Sequence, residues 1–267
     1  MPFTRSDLSR ATDALRRDPA CLSSVGVDPA RLRDRSRVFE VDFPENSATT
    51  PAYLKIYSYQ KHILQRLWRP GRSRREARNL LFFRSLDIPA PRVLAWGQKR
   101  NALGKRLYEF IVTETIPAAQ PLPECIREHC PDRSNDLFCE RRDAIIKTLA
   151  QRTRLIHARH FFHRDLKWRN ILARPCNEQT ELFWIDCPVG AFRSLSPVKR
   201  HHIIKDCATL DIPASLYCTR EERMYFIACY LDCAPEDPKV RTFARQVENY
   251  RKRRFERKNK EGAPRTP

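Results

Sequence analysis

The segment His163-Arg164-Asp165-Leu166-Lys167-Trp168-Arg169-Asn170 places a carboxylate, an ammonium and an amide within eight residues. Asn170 stands five positions after Asp165, and the apolar pair Ile171-Leu172 follows. A second carboxylate, Asp186, ends a short apolar run 21 positions after Asp165. Phosphoryl transfer from ATP asks for such a set. One carboxylate stands beside the attacking hydroxyl and further oxygen ligands hold Mg2+ on the triphosphate, because positioning and charge neutralisation do most of the work. On that logic Asp165 orients the hydroxyl and accepts its proton, Asn170 and Asp186 ligate the metal, and Lys167 reaches the transferred phosphoryl group. The competing reading is a surface charge cluster, since 31% of the chain is charged and charged triplets are common in it. The spaced Asn, the helical pattern upstream and the apolar strand ending in Asp favour the chemical reading.

A lysine that grips the first phosphates needs a helix glutamate to hold its ammonium in place. Lys55, in the middle of a strand pattern between Leu54 and Ile56, and Glu76, in the first turns of a helix pattern, supply that pair. Alone, each reads as a snorkelling strand lysine and a solvated helix residue. In the order Lys55, Glu76, Asp165, Asn170, Asp186 they read as an ATP site.

The elements that must position these residues follow from periodicity. Arg37 to Phe43 and Ala52 to Tyr57 alternate as strands, with Pro44 to Pro51 as their hairpin loop. Ser73 to Leu86 has helical spacing, and Arg92 to Trp96 and Leu107 to Thr115 are strands around a turn at Asn101 to Gly104. Pro117 to Pro123 is a connector. Beyond it Arg142 to His157, Lys199 to Leu210 and Arg220 to Leu231 read as helices, and Phe183 to Ile185 as a short strand. Residues 1–36 are Arg-rich, with a short helix capped by Ser6 or Asp7. Tyr250 to Pro267 reads as a frayed basic tail. The expected division is a sheet-rich nucleotide-binding lobe over 1–116, a helical catalytic lobe over 117–249 and a flexible tail over 250–267.

Composition bounds the partners. The 51 Lys and Arg against 32 Asp and Glu give +19, which points to an anionic partner without naming it. No apolar run approaches the roughly 18 residues of a membrane helix, and the first ten residues lack the apolar core of a secretory signal, so the chain is expected in the cytoplasm. The ten cysteines show no C-x-x-C pair and read as buried thiols, including Cys229 and Cys233 four residues apart. No nucleic-acid motif appears, and aromatic residues are not interleaved with the basic runs, so nucleic acid is not expected as a partner.

The series Leu54-Lys55-Ile56, Arg74-Arg75-Glu76-Ala77, Ile111-Val112-Thr113-Glu114, His163-Arg164-Asp165 and Lys205-Asp206-Cys207-Ala208 resembles the lipopolysaccharide core kinases of the Kdo/WaaP type, over roughly residues 37 to 233. The resemblance implies an α+β, two-lobed protein-kinase-like fold, with an N-terminal antiparallel sheet lobe carrying one long helix and a mainly helical C-terminal lobe. It implies ATP and Mg2+ as cofactors and heptose or Kdo of the lipopolysaccharide inner core as acceptor. A lipid-linked substrate at an anionic, cytosolic inner-membrane face is then expected, with no obligate protein partner. By the same resemblance Glu114 to Ile116 form a hinge whose backbone faces adenine, and His163 and Asp206 support the catalytic loop. An ordinary helix-surface aspartate paired with Lys205 or His202 is the alternative for Asp206. Lys61, Arg66, Arg69, Arg72, Arg74 and Arg75, together with the basic tail, are candidates for contacts to lipid headgroups or to phosphates on the substrate, or else solvated helix faces.

Two departures stand out. The region expected to hold a Gly-rich loop reads Ala30-Arg31-Leu32-Arg33-Asp34-Arg35-Ser36-Arg37, so phosphate grip falls to arginine. Asp186-Cys187-Pro188 replaces D-F-G, and Pro188 disfavours a switch based on flipping that segment. A protein Ser/Thr or other small-molecule acceptor on the same fold remains open, as does a non-catalytic basic module that binds nucleic acid.

Overall fold

The computed structural model describes residues 4–26, 37–45, 48–58, 71–131, 134–176 and 179–262. The chain divides into two compact units, Met1–Pro117 with Phe183–Val189, and Ala118–Leu182 with Gly190–Pro267.

The first unit opens with α1 (Arg5–Ala14). Its cap is Thr4, whose hydroxyl accepts from the Asp7 N–H, while the Asp7 carboxylate accepts from the Thr4 N–H. This reciprocal capping box makes Asp7 the third helical residue, where sequence alone put the cap at Ser6 or Asp7. A 3-10 turn (Pro19–Val25) leads to a four-stranded antiparallel sheet of β1 (Arg37–Glu45), β2 (Ala48–Ser58), β3 (Val93–Arg100) and β4 (Arg106–Glu114), in the order β1-β2-β4-β3. The β1–β2 ladder continues to Glu45↔Ala48. Residues 44–51 are therefore mostly paired strand, not the long loop expected between two prolines. Pro44 is tolerated because β1 is an edge strand, and Pro51 stands just before the β2–β4 ladder begins at Ala52↔Glu114. The strip Ala30 to Ser36, expected to carry the phosphate-gripping arginines, lies outside the described residues, as do Lys61, Arg66 and Arg69.

Strand alternation decides the two faces of β2. Leu54 and Ile56 are fully buried with Phe43, Leu94, Ala95, Phe110 and Val112 on one face, each contributing roughly 1.5–3 kcal/mol of apolar burial. Lys55 and Tyr57 share the other face, where α2 (Arg72–Arg84) packs. The α2 N-terminus has no capping side chain of its own. Its Ser73 N–H instead donates to the carboxylate of Glu109, fully buried on β4, at 2.9 Å. Arg106 balances that carboxylate at 2.8 Å. A buried anion at a helix N-terminus satisfies an orphan donor and suits the helix dipole. A β-carbon at position 71 would run into the Glu109 carboxylate, so a larger residue than Gly71 would displace that anion from the α2 N-terminus.

Residues ahead of the sheet join it. Arg74 donates to both carboxylate oxygens of Asp13 at 3.0 Å and to Ser9, tying α2 to α1. Arg17 N–H bonds to Trp96 O, and the Trp96 indole donates to Thr12 O at 2.7 Å.

The second unit contains β5 (Gln120–Pro121), α3 (Leu122–His129), α4 (Asp136–Ala158), β6 (Phe161–Phe162), a 3-10 turn (Trp168–Asn170), β7 (Ile171–Cys176) and β8 (Gln179–Trp184). The last two residues of β8 belong to the first unit. There follow β9 (Ala191–Phe192), α5 (Ser196–Tyr217), α6 (Arg220–Leu231) and α7 (Pro238–Gly262). Helix α5 passes through Pro213, beyond the stop expected at Leu210. Its end is fixed from outside: Trp168 stacks on Tyr217 at 5.5 Å, and Arg142 donates to Tyr217 O at 2.6 Å. Arg142 also forks onto Glu222 at 2.5 and 3.0 Å, and Glu222 closes the capping box of α6 with Thr219. Helix α7 carries residues 250–262, where a frayed tail was expected. Val247 is buried and Tyr250 packs with it against Ala150, Cys207 and Tyr230, which ties down what composition alone reads as a solvated run. All ten cysteines are free.

Candidate active site

In the first unit, β2, α2 and the segment 183–189 bring Lys55, Glu76 and Asp186 together. The Lys55 ammonium lies 2.5 Å from Asp186 Oδ1 and 3.5 Å from Glu76 Oε1. Burial alone would depress the lysine, but the two carboxylates hold its pKa above the ordinary value. Glu76 is 4% exposed, and its carboxyl is pushed up by burial against the opposing pull of Lys55. Tyr57 donates its hydroxyl to Glu76 Oε2. The Tyr57 hydroxyl is held strongly protonated by burial and by that neighbouring carboxylate.

Asp186 has φ +54, a conformation that Asp tolerates better than most residues. Two anchors flank it. Trp184 N–H bonds to Pro89 O at 2.9 Å, with its ring edge-on to Phe83 at 5.3 Å. Asn79, on α2, donates to Cys187 O at 2.7 Å. The same helix therefore supplies Glu76 and fixes the backbone after Asp186. Tyr57 and Asn79 escaped the sequence reading. Tyr57 stands two positions after Lys55, and Asn79 three after Glu76, so period-2 and helical spacing respectively are the signals that would have flagged them.

At the end of β4, Glu114 N–H donates to Arg92 O and Thr115 N–H to Pro51 O, both at 2.9 Å. The Glu114 carboxylate accepts from Arg92, which also forks onto Glu45 at 2.6 and 2.8 Å. Ile116 is half-buried one residue before Pro117, where the first unit's chain ends.

In the second unit, the loop after β6 carries the remaining candidates. Asp165 Oδ1 lies 2.6 Å from the Lys167 ammonium. The Asp165 carbonyl accepts from the Lys167 N–H and from Asn170 Nδ2, both at 2.9 Å. With its amide nitrogen so engaged, Asn170 keeps Oδ1 as the oxygen available to a hard cation. Burial would raise the Asp165 carboxyl, but the hydrogen bond and charge of Lys167, helped by His163 and Arg169, outweigh it and hold the pKa below the ordinary value.

Arg164 has φ +67, which costs a non-glycine residue about 1–2 kcal/mol. Asp206, fully buried on α5, holds it there. Its carboxylate accepts from the Arg164 N–H at 2.7 Å and from the His163 N–H at 2.8 Å, and lies 3.4 Å from His157 Nε2. His157 in turn meets the Tyr230 hydroxyl at 2.9 Å. Asp206 thus faces backbone N–H groups instead of the Lys205 or His202 side chains. His163 is fully buried beside it. His157 was missed because it reads as the last residue of an amphipathic helix.

A strand lysine paired to a helix glutamate, and a loop with an ionised Asp five residues before an amide, define a protein-kinase-like phosphotransferase with an antiparallel sheet lobe and a mainly helical lobe. The lipopolysaccharide kinase (Kdo/WaaP) family signature matches residues 35–207, and the chain belongs to that family. Among solved structures it is similar to WaaP in complex with acyl carrier protein, with 19% identity, coverage of 90% of this chain and 95% of that one, and a TM-score of 0.61. No curated protein sequence matches it. The WaaP complex corrects one expectation: a relative of this fold is found with a protein partner, against a chain that needs none.

Proposed function

We propose that this chain transfers the γ-phosphoryl group of ATP to a hydroxyl of a lipopolysaccharide inner-core sugar, heptose or Kdo, at the cytosolic face of the inner membrane. The observation that carries the reading is the loop on Asp206, which presents an ionised Asp165 with Lys167 at 2.6 Å. Family membership supports the acceptor class.

In this reading residues 1–116 bind the nucleotide and 117–249 carry the catalytic loop. Lys55, steadied by Glu76, pairs with the first phosphates, and the backbone of Glu114 to Ile116 faces the adenine. Asp165 accepts a hydrogen bond from the acceptor hydroxyl, aligns it and takes its proton. Lys167 neutralises charge on the transferred group. Asn170 Oδ1 and the Asp186 carboxylate are hard oxygen donors of the kind Mg2+ takes, and the metal, when bound, supplies charge neutralisation on the triphosphate. Lys55 covers one Asp186 oxygen, an ion pair that would have to open for the carboxylate to hold a metal and the ammonium a phosphate. His163 and Asp206 hold the loop. Helix α7 continues the second unit over 250–262. No described helix is long and apolar enough to cross a membrane. Acyl carrier protein, the partner in the WaaP complex, is carried over as a candidate partner, which co-purification tests.

Mass spectrometry of the lipopolysaccharide core from cells with and without the gene tests the function. Loss of one phosphate at a defined sugar is expected. An unchanged core moves the acceptor to a protein hydroxyl or another small molecule.

A further inference from the structure

Helices α6 and α7 enclose a groove of about 500 Å3 in the second unit. Its floor is ionic: Arg223 lies 2.6 Å and Arg251 3.1 Å from the carboxylate of Asp211, and the charge of Glu248 also acts on both guanidinium groups. Its rim carries three more arginines, Arg220, Arg241 and Arg245. All three are exposed and make no hydrogen bond or ion pair among the described residues. The remaining carboxylate in the lining, Glu248, is engaged by Lys252 at 3.0 Å.

This charge opposes what helix stability asks for. Arg220 is the first residue of α6 and Arg241 lies in the first turns of α7, where the helix dipole disfavours cations. Arg241 and Arg245 repel each other at i,i+4. An anionic ligand would relieve all three.

Apolar exposure says which kind of anion. Phe255, one turn beyond Arg251 on α7, is 67% exposed. Bulky apolar side chains on a basic helical surface are the pattern of an interfacial contact, in which arginines meet phosphates and apolar tips enter the acyl boundary. We propose that the α6–α7 groove binds the phosphate groups of an anionic lipid surface and docks the chain there. This deepens the membrane-face reading above and does not use the catalytic residues.

The test is co-sedimentation of the full chain with vesicles of phosphatidylcholine alone and of equal parts phosphatidylcholine and phosphatidylglycerol. Binding to the mixed vesicles only is expected, weakening as salt rises. The variant R220A/R241A/R245A should lose roughly 100-fold in partitioning, about fivefold per arginine. Phe255→Ser should weaken binding by a salt-independent factor. Asp165→Ala should bind like the parent, so loss of turnover and loss of docking separate. Circular dichroism checks folding, and the single variant Arg245→Glu carries the test if the triple variant misfolds. The proposal is overturned if the arginine variants sediment like the parent, if neutral vesicles bind equally, or if inorganic phosphate at low millimolar levels displaces the chain, which would make this a soluble-phosphate site. Capture of an acidic protein with no vesicle binding would also overturn it.

Discussion

The Lys55 cluster of the first unit and the Asp165 loop of the second both hold charged groups close together, by opposite means. Around Lys55 the partners are side chains from two elements distant in sequence, and the charges neutralise one another: Glu76 and Asp186 both reach one ammonium. Around Asp165 the chemistry is local, and what comes from afar is a carboxylate that grips backbone. Asp206 touches the His163 and Arg164 N–H groups, not a charged side chain of the loop. Side-chain pairing leaves a cluster that can exchange partners when ligand arrives. Backbone anchoring leaves a loop whose shape is fixed beforehand, which is what alignment of a hydroxyl requires.

The sharpest break in that comparison is Asp165→Ala. If Asp165 aligns the hydroxyl as proposed, removing its carboxylate should lower kcat by about 10²–10⁴-fold, while nucleotide affinity, measured by titration, stays near the parent value because Lys55 and its partners are untouched. Asp186→Ala, in contrast, should weaken Mg2+-dependent nucleotide binding. Parent-like turnover in the Asp165 variant would refute the assigned mechanism.

Asp206→Ala comes next. Two buried N–H donors lose a charged acceptor, and a positive-φ arginine loses its restraint, so unfolding in denaturant should show a loss of roughly 3 kcal/mol. Asp206→Asn keeps one good acceptor and should lose less. If the alanine variant unfolds like the parent, the loop is held by something other than this anchor.

Glu76→Gln tests the other half. A buried charge pair is weak evidence for stability, because desolvation offsets attraction. Because Lys55 keeps Asp186 as a partner, the variant should lose less than the roughly 3–5 kcal/mol of a buried charge left unpaired, while the KM for ATP rises on the order of tenfold as Lys55 leans toward Asp186 alone. A large stability loss with unchanged KM would reverse the contrast between the two regions.

How far these regions are legible from sequence differs for the same reason. Lys55 declares its face through buried Leu54 and Ile56, and Asp165 and Asn170 declare themselves by a fixed spacing in one segment. Contacts made across many residues do not. Glu109 alternates as a solvent-facing strand residue, yet it is buried under α2 as the cap that α2 lacks. His157 and Tyr230 look like helix-face residues and form the second layer behind Asp206. Helix ends were misread wherever tertiary contacts overrule local signals: Pro213 suggests a stop, but Arg223 and Arg251 on Asp211, with Trp168 on Tyr217, carry α5 past it. The basic run at 251–254 reads as a tail until Arg254 is seen 3.3 Å from Thr209 on α5.

The smallest effect concerns His202, on the helix of Asp206. Burial against Phe162, reinforced by Arg164, lowers its pKa from 6.5 to about 4 despite the nearby Asp206. Between those values the unfolded chain binds a proton that the folded chain refuses, so stability falls as pH drops from 6.5 toward 4. Above 6.5 both states are neutral and the effect vanishes. His202→Gln removes the titration, so its denaturation midpoint should decline less than the parent's across that window. The Lys55 cluster bends the other way: the raised Glu76 carboxyl makes the folded state the better proton binder from the ordinary carboxylate range upward, so that group favours folding as pH falls. The two regions then oppose each other in acid, and the double variant His202→Gln with Glu76→Gln should show a flatter pH profile than either single one. Parallel profiles for parent and His202→Gln would mean that the imidazole already carries its proton in the folded loop support.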